Sequence, residues 1–204
     1  MHSSARSRKL PRSFYLQPTL AVARGLLGKL FVRKLGRRIL IGKIVEVEAY
    51  REGDPASHSY RGKTKRNEVM FGEAGHLYVY FTYGMHFCGN VVTRNMGTGE
   101  AVLIRAVEPV HDIEVMRKKR GFTWNETNDS KLTNGPAKFC QAFGIGREQN
   151  GIDLQGDEIF IAKEKTERTF SLGRSTRVGI RKGAEKEWRF YIKGNTFVSH
   201  RQSR

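Results

Sequence analysis

The chain has 204 residues, of which 38% are hydrophobic, and this is enough to build one domain with its own core. Lys+Arg 37 against Asp+Glu 20 gives a formal net charge of +17, which favours nucleic acid first and an anionic membrane second as partner. No apolar run approaches the roughly 18 residues of a membrane span, and the N-terminus lacks the apolar core of a signal peptide. We therefore expect no membrane association and an intracellular protein, cytoplasmic and nucleoid-associated in a bacterium or nuclear in a eukaryote.

Cysteine usage excludes further classes of site. Cys88 and Cys140 are too few for a disulfide framework, and the sequence shows no CxxC motif or Cys/His cluster of the kind that binds zinc or iron. The sequence therefore predicts no metal and no cofactor, and it predicts that both thiols are buried.

The two ends of the chain are polar and basic. The first residues carry arginines and a lysine among serines and have little to bury, which predicts a flexible basic arm over residues 1–13. A single domain is expected over residues 14–200, followed by a basic tail over residues 201–204.

The N-terminal part of the domain predicts a helix and a hairpin. Residues 18–27 have apolar positions at helical spacing, with a proline near the start and a glycine just past the end. Residues 30–35 and 39–50 alternate as strands and flank a turn at Gly36, so the second strand is expected to pair with the first.

A second hairpin follows a polar, basic loop. Residues 76–82 and 85–93 are predicted strands, and Tyr83 is expected at the exposed tip between them. Residues 101–107 form another predicted strand, in which Arg105 is a lone charge among apolar residues. Such an arginine is usually paired or functional, because an unpaired buried charge is costly.

The remaining elements are shorter. Amphipathic spacing predicts a helix over residues 110–120, and a proline in the first turn marks a second helix over 135–143. The rest of the chain is predicted to be β-rich, with strands at 158–162, 177–180 and 188–193.

Two carboxylates on one strand are the first candidates for chemistry. On a pleated strand, Glu46, Glu48 and Tyr50 share one face, and the two carboxylates lie roughly 6.5–7 Å apart. This spacing suits an acid/base pair, but it also suits ordinary solvent-facing charges.

Aromatic residues on the second hairpin are the next candidates. Tyr78 and Tyr80 share one strand face and could form a cross-strand ladder. In a strongly basic chain, aromatic faces beside cations also hold unstacked bases. His58, in the polar loop, would by itself be taken for a surface histidine.

A series of motifs, in order along the chain, resembles the alkyladenine (3-methyladenine) DNA glycosylase family. The resemblance extends from about Leu16 to Ser199. The motifs are Glu48-Ala49-Tyr50, His58-Ser59, Arg66-Asn67, Met70-Phe71, Leu77-Tyr78-Val79-Tyr80, Tyr83-Gly84-Met85, Phe87-Cys88, Asn90, Arg105-Ala106, Glu108-Pro109, Gly135-Pro136-Ala137-Lys138, Cys140-Gln141-Ala142, Arg177-Val178-Gly179-Ile180 and Trp188-Arg189-Phe190-Tyr191. The resemblance implies an α+β fold: a single mixed domain around a curved antiparallel β-sheet, with flanking helices and a protruding β-hairpin that enters the DNA minor groove.

The resemblance also implies roles for the charged residues. Glu48 resembles the general base that activates the water attacking C1′ of the flipped nucleotide. Arg105 resembles the residue that helps to hold that water, and the backbone near Val178 is expected to complete the water's cage.

The resemblance also implies roles for residues of the pocket and of the hairpin. Tyr50 and Tyr80 resemble the plates that sandwich the extruded base, while His58 supplies a hydrogen bond and Asn90 leaves no room for the exocyclic amine of guanine. At the tip, Tyr83 resembles the side chain that fills the hole left in the duplex, and Met85 is expected to contact DNA beside it.

Two positions depart from the pattern that the family leads us to expect. His86 replaces an aromatic residue and Gly89 replaces a bulkier apolar one, and both lie on the hairpin that lines the predicted pocket. These differences leave the substrate range open.

The sequence therefore predicts a monofunctional, metal-free DNA glycosylase that acts as a monomer on double-stranded DNA. Its substrates would be alkylated or deaminated purines such as 3-methyladenine, 7-methylguanine, hypoxanthine and ethenoadenine. Two alternatives remain: a non-catalytic basic nucleic-acid-binding module, and a lyase that uses a lysine Schiff base.

Overall fold

The computed structural model describes residues 9–123, 128–164 and 169–199, which form an α+β domain around one curved antiparallel sheet. This confirms the fold class that the motifs predicted. The strands are β1 (Leu30–Leu35), β2 (Arg38–Tyr50), β3 (His76–Thr82), β4 (His86–Val92), β5 (Ala101–His111), β6 (Ile152–Asp153), β7 (Ile159–Ala162), β8 (Leu172–Ser175) and β9 (Arg189–Ile192). The helices are α1 (Arg12–Tyr15), α2 (Thr19–Leu26), α3 (Ile113–Lys119) and α4 (Pro136–Phe143), and short 3₁₀ turns occur at Glu68–Phe71, Asp129–Lys131 and Arg147–Gln149.

Strand β2 is the centre of the sheet. The strand order is β6-β3-β4-β5-β2-β1-β7, and β9, which pairs with β8, also pairs with the second half of β2. The register between β2 and β5 shifts on both sides of Glu46. Such irregularities bend a strand and re-aim its side chains, and this one lies next to the candidate residues Glu46 and Glu48.

The hydrophobic core lies between the sheet and helices α2 and α4. Phe31 on β1 packs edge-on against Phe139 and Phe143 of α4, with ring centroids 5.0 and 5.4 Å away. A Cβ atom on Gly42 would come within 2.9 Å of both Phe143 and Val107, so the missing side chain allows α4 to approach the sheet. This packing supports the sheet from the side opposite to the site.

Both predicted hairpins are present, but the start of one helix and one whole strand were predicted wrongly. The helix predicted over 110–120 begins only at Ile113, because β5 continues far enough for His111 to pair with Ile41. The strand predicted over 177–180 is irregular. Its Val178 N–H donates to the Glu48 carboxylate rather than to a neighbouring strand, and the preceding strand in the sequence, β8, ends at Ser175.

The described part of the predicted N-terminal arm packs against the domain. Leu10 is completely buried, the ammonium of Lys9 lies 2.7 Å from a carboxylate oxygen of Asp157, and Arg12 contacts Asp153 at 2.8 Å. The rest of the predicted arm and the predicted tail over 201–204 lie outside the described residues. Among the helices of the described residues, none is long and apolar enough to span a bilayer.

Candidate active site

A cavity of about 260 Å³ lies against one face of the sheet. Its walls come from four central strands and from the loops that follow them, so distant parts of the chain meet there. The strand residues are Tyr50 from β2, Tyr78, Tyr80 and Thr82 from β3, Cys88 and Asn90 from β4, and Leu103 and Arg105 from β5. The other lining residues are Met70 in the first 3₁₀ turn, Pro136 at the start of α4, and the loop residues Ala56, His58, Tyr83, Val178, Gly179 and Ile180.

Glu48 lies directly beneath this cavity and is completely buried. Its Oε1 accepts a hydrogen bond of 2.7 Å from the backbone N–H of Val178 and lies 3.3 Å from Nη1 of Arg105. Its Oε2 accepts a hydrogen bond of 2.9 Å from the hydroxyl of Tyr50. All three donor residues line the cavity, so the carboxylate is one layer below its wall.

Glu46 occupies a separate buried cluster behind Glu48. Its Oε1 accepts from Nε of Arg105 at 2.8 Å, from Nε of Arg189 at 2.7 Å and from the Ser199 hydroxyl at 2.7 Å. Its Oε2 accepts from the Ser199 N–H at 2.6 Å. The two carboxylates of β2 therefore differ: Arg105 bridges them, but Glu48 is also bonded to the cavity-lining residues Tyr50 and Val178, whereas Glu46 is bonded to Arg189 and Ser199.

The charges of this cluster control each other's ionisation. Burial alone would raise the pKa of Glu46, but the guanidinium groups of Arg105 and Arg189 outweigh it and leave that pKa below its ordinary value. Burial likewise opposes the charge of Arg105, yet Glu48 and Glu46 raise its pKa. The cluster is therefore a fixed charged support for the residues above it.

The sequence analysis missed Arg189 and Ser199. Arg189 is a lone charge within the apolar strand β9, which is the same signal that singled out Arg105. Ser199 carried no comparable signal. Its N–H and hydroxyl donate to Glu46, which lies 153 residues earlier in the chain, and local sequence patterns do not reveal such a contact.

Tyr80, Tyr78 and His58 form the wall on the β3 side. The ring centroids of His58 and Tyr80 are 4.4 Å apart, and Nδ1 of His58 lies 3.0 Å from the Tyr78 hydroxyl. Burial raises the pKa of Tyr78 to about 12. Burial and the nearby charge of Arg66 lower the pKa of His58, so the imidazole is neutral at neutral pH.

The two predicted plates come from different strands. Tyr50 lies at the end of β2, and Tyr80 lies on β3, which does not pair with β2. Both rings line the cavity, as a pair of plates around a base requires. Nδ1 of His58 is taken by Tyr78, so Nε2 is the nitrogen through which His58 can bind a ligand.

Asn90 is buried in the cavity wall, where its side-chain N–H donates to the carbonyl of Tyr78 at 3.1 Å. Gly89, one of the two departures from the family pattern, lies on the pocket hairpin as the sequence indicated but does not line the cavity. A Cβ atom there would meet Cys140 Sγ at 3.6 Å, on the core side of the sheet. The other departure, His86, pairs with Thr82 at the start of β4 and does not line the cavity.

The tip of the β3–β4 hairpin is exposed and apolar. Tyr83 adopts a left-handed backbone with φ of +50° and is 85% exposed, and Met85 is 71% exposed. Large apolar side chains in such positions mark a surface that contacts a partner. Because Tyr83 also lines the cavity, the tip and the cavity form one continuous surface.

The loop that carries Val178 is anchored by an arginine that the sequence analysis passed over. The Arg177 guanidinium is fully buried, forms a two-point ion pair with Asp54, and donates to the carbonyls of Ala49 and Gly183 at 3.1 Å. These bonds hold the Val178 N–H against Glu48.

Metal binding has no cluster of ligands within the described ranges. Across residues 9–123, 128–164 and 169–199, His, Cys, Asp and Glu side chains do not gather in groups of three that could hold an ion. Cys88 does line the cavity, and burial raises the pKa of its thiol.

A buried carboxylate beneath an aromatic cavity, in a strongly basic protein, fits an enzyme that acts on an unstacked nucleic-acid base. The comparison with known proteins is more specific. A family model described as methylpurine-DNA glycosylase (MPG) matches residues 13–196. The chain belongs to this family of DNA glycosylases, as its motifs predicted.

Close relatives occur in bacteria and archaea. A protein of Carboxydothermus hydrogenoformans is 50% identical over 93% of this chain and 98% of its own length. Proteins of Methanoculleus marisnigri and Clostridium acetobutylicum are each 48% identical, over 94% of this chain and 99% and 97% of their own lengths. All three bear the name "Putative 3-methyladenine DNA glycosylase".

Proposed function

We propose that this protein releases damaged purines from double-stranded DNA by hydrolysing the N-glycosidic bond and leaving an abasic site. The observation that carries the proposal is the position of Glu48, beneath a cavity that Tyr50 and Tyr80 line on two sides. The cavity, about 260 Å³, falls below the roughly 300–1,000 Å³ of sites for larger ligands and suits a single base.

Base extrusion is the first step of this proposal. A glycosidic bond inside a duplex is out of reach, so the nucleotide must leave the stack at a cost of a few kcal/mol. Tyr83 and Met85 project from the tip beside the cavity, and an apolar side chain inserted between bases offsets that cost. The net charge of +17 supplies the attraction to the phosphate backbone.

Hydrolysis would then use Glu48 as the general base. The attacking water would have to bind beside Tyr50, Arg105 and Val178, the cavity-lining residues that contact the Glu48 carboxylate. As the bond from C1′ to the base breaks, its electron pair leaves with the base and the sugar becomes an oxocarbenium-like cation. Glu48 stabilises this cation and takes a proton from the water that bonds to C1′.

The walls would select among purines such as 3-methyladenine, 7-methylguanine, hypoxanthine and ethenoadenine. Asn90 is fixed against β3 and would disfavour the exocyclic amine that guanine and 7-methylguanine share, so release of 7-methylguanine would depend on its cationic ring being a better leaving group. Nε2 of His58 would bind the accepted base. The site is complete within one chain, which supports action as a monomer.

We further propose that water attacks C1′ directly, without a covalent intermediate between protein and DNA. Among the side chains that line the cavity in the described parts of the chain, none is a lysine. Borohydride trapping on damaged DNA tests this point: a covalent protein–DNA adduct would show the lysine-dependent lyase instead.

The decisive experiment is single-turnover base release from matched duplexes, one with hypoxanthine, one with 7-methylguanine and one undamaged. We expect wild-type protein to release the damaged bases only, and Glu48→Gln to release none while still binding damaged duplex. Tight binding that does not depend on damage, with no release of either base, would show a non-catalytic nucleic-acid-binding module.

A further inference from the structure

A buried cation covers the back of one of the two tyrosines that line the cavity. The Cζ atom of Arg177 lies 4.8 Å from the centroid of the Tyr50 ring and 5.1 Å from that of Trp188. Tyr50 lines the cavity, whereas the Arg177 side chain is fully buried and does not. The guanidinium therefore covers the face of Tyr50 that is turned away from the cavity.

Buried hydrogen bonds hold both members of this stack in place. Asp54, also fully buried, binds two nitrogens of Arg177, and the carbonyls of Ala49 and Gly183 accept from the same guanidinium. The hydroxyl of Tyr50 is bound to Glu48 at 2.9 Å. Neither the ring nor the cation can move away from the other without breaking buried hydrogen bonds, which makes the contact a permanent part of the wall.

The opposite wall is built differently. Tyr80 contacts His58 edge-on at 4.4 Å and Tyr78 at 5.6 Å, and both neighbours are neutral at neutral pH. The contacts between cations and aromatic rings found in the described residues include none on Tyr80. A base between the two plates would thus meet one ring backed by a cation and one ring that is not.

The asymmetry has an electrostatic consequence. An aromatic face attracts a cation because its π-electrons make that face negative. A guanidinium behind the ring draws this electron density away and adds its own repulsion, while the Asp54 carboxylate offsets part of the field. A neutral purine can still stack on Tyr50, but a cationic N-alkylated purine loses attraction there.

We propose that Arg177 determines specificity through Tyr50, shifting the cavity toward neutral damaged purines and away from cationic N-alkylated purines. This inference rests on the glycosylase function proposed above. Arg177 acts through the ring and contacts no substrate, so it is a positioning residue. A purely structural role would change the release of both classes of base alike.

The test is the ratio of single-turnover release rates from two duplexes, one with cationic 7-methylguanine and one with neutral hypoxanthine. We expect the paired change Asp54→Asn with Arg177→Gln, which removes both charges, to raise this ratio about threefold to tenfold. Asp54→Asn alone leaves the guanidinium uncompensated and should lower the ratio.

Lys186→Gln is the matched control. Its ammonium lies 3.7 Å from Asp54 and 4.6 Å from the centre of the Trp188 ring, so it belongs to the same cluster without touching Tyr50. This variant should keep the wild-type ratio.

The opposite directions of the two changes make the outcome decisive. A ratio that stays constant, or that shifts in the same direction in both variants, would overturn the role of Arg177. If the paired variant fails to fold, Asp54→Asn decides by itself, since an unchanged or raised ratio contradicts the proposal. Wild-type protein that releases neither base would refute the proposed function itself, and this inference with it.

Discussion

Two regions of the molecule are built in opposite ways. One is the charged layer beneath the cavity, which Glu46, Glu48 and Arg105 form and which we call the floor; the other is the hairpin tip, which Tyr83 and Met85 form. In the floor, all three side chains are almost completely buried, and Arg105 forms an ion pair with each carboxylate. At the tip, both side chains project into solvent. Bond breaking requires charges held in place before the substrate arrives, whereas insertion into a duplex requires apolar groups that are still free to bind.

The difference also separates stability from function. Removing one member of a buried ion cluster leaves its partners as uncompensated charges, which costs about 3–5 kcal/mol. A change at an exposed tip typically alters the free energy of unfolding by less than about 0.5 kcal/mol. Mutations in the two regions should therefore have different signatures, and four experiments test this contrast.

The largest effect is expected at the carboxylate closest to the cavity. Glu48→Gln keeps the shape of the side chain but removes the base, so release of hypoxanthine should fall at least about 100-fold while binding to damaged duplex is retained. Single-turnover release and duplex titration measure the two quantities. Normal turnover in this variant would remove Glu48 from the mechanism.

The second experiment removes the carboxylate of Glu46 from the floor. Glu46→Ala leaves Arg105 and Arg189 without their shared carboxylate, and the free energy of unfolding should fall by about 3–5 kcal/mol in urea titrations. Glu187→Ala, which breaks an exposed 3.5 Å pair with Arg174, is the control and should change stability by less than about 0.5 kcal/mol. Equal losses in the two variants would contradict the buried support.

The third experiment addresses the tip. Tyr83→Ser should leave the free energy of unfolding within about 0.5 kcal/mol of wild type, yet weaken release from a fully paired duplex more than release from a mismatched one. Tyr60→Ser, which removes another exposed tyrosine, serves as the comparison. An equal loss on paired and mismatched duplexes would argue against a wedge.

The smallest effect is expected in the pH dependence of stability, through His58 in the cavity wall on the β3 side. The pKa of His58 in the folded protein lies below its ordinary value of 6.5, so the unfolded chain binds a proton more readily at that position. Stability should therefore fall as the pH drops through 6.5 toward the lower folded value, and His58→Gln should flatten this dependence. Urea midpoints measured across that range check the sign. A wild-type profile identical to that of the variant would count against it.

Much of the fold could be predicted from local sequence signals. The two hairpins follow from alternating apolar residues and from turns at Gly36 and Tyr83, which are short-range features. The start of α3 was misplaced because β5 is extended by pairing with β2, a long-range contact that periodicity does not reveal. Residues 177–180 were wrongly predicted to form a strand, because sequence patterns do not show that Arg177 and the Val178 N–H are bound to Asp54 and Glu48.

The candidate site shows the same contrast between residues that sequence motifs identify and long-range contacts that they do not. The motifs identified Glu48, Tyr50, Tyr80 and Asn90, and the structure brings them together around one cavity or directly beneath it. The motif Glu48-Ala49-Tyr50 singled out Glu48, but strand spacing alone did not separate it from Glu46, since the two were predicted to share a strand face. The Glu46 support therefore required the structure.

One contact of the floor bears on how the protein is made. Ser199 completes the cluster around Glu46 and follows it by 153 residues. At synthesis rates of about 5–20 residues per second, the ribosome needs roughly 8–30 s to extend the chain from one to the other. Both tyrosine plates and the hairpin tip emerge long before then. A nascent chain thus contains the residues proposed to bind the base well before Ser199 can complete the charged cluster next to the proposed general base. Premature termination in between would yield a chain that lacks Ser199 and its bonds to Glu46.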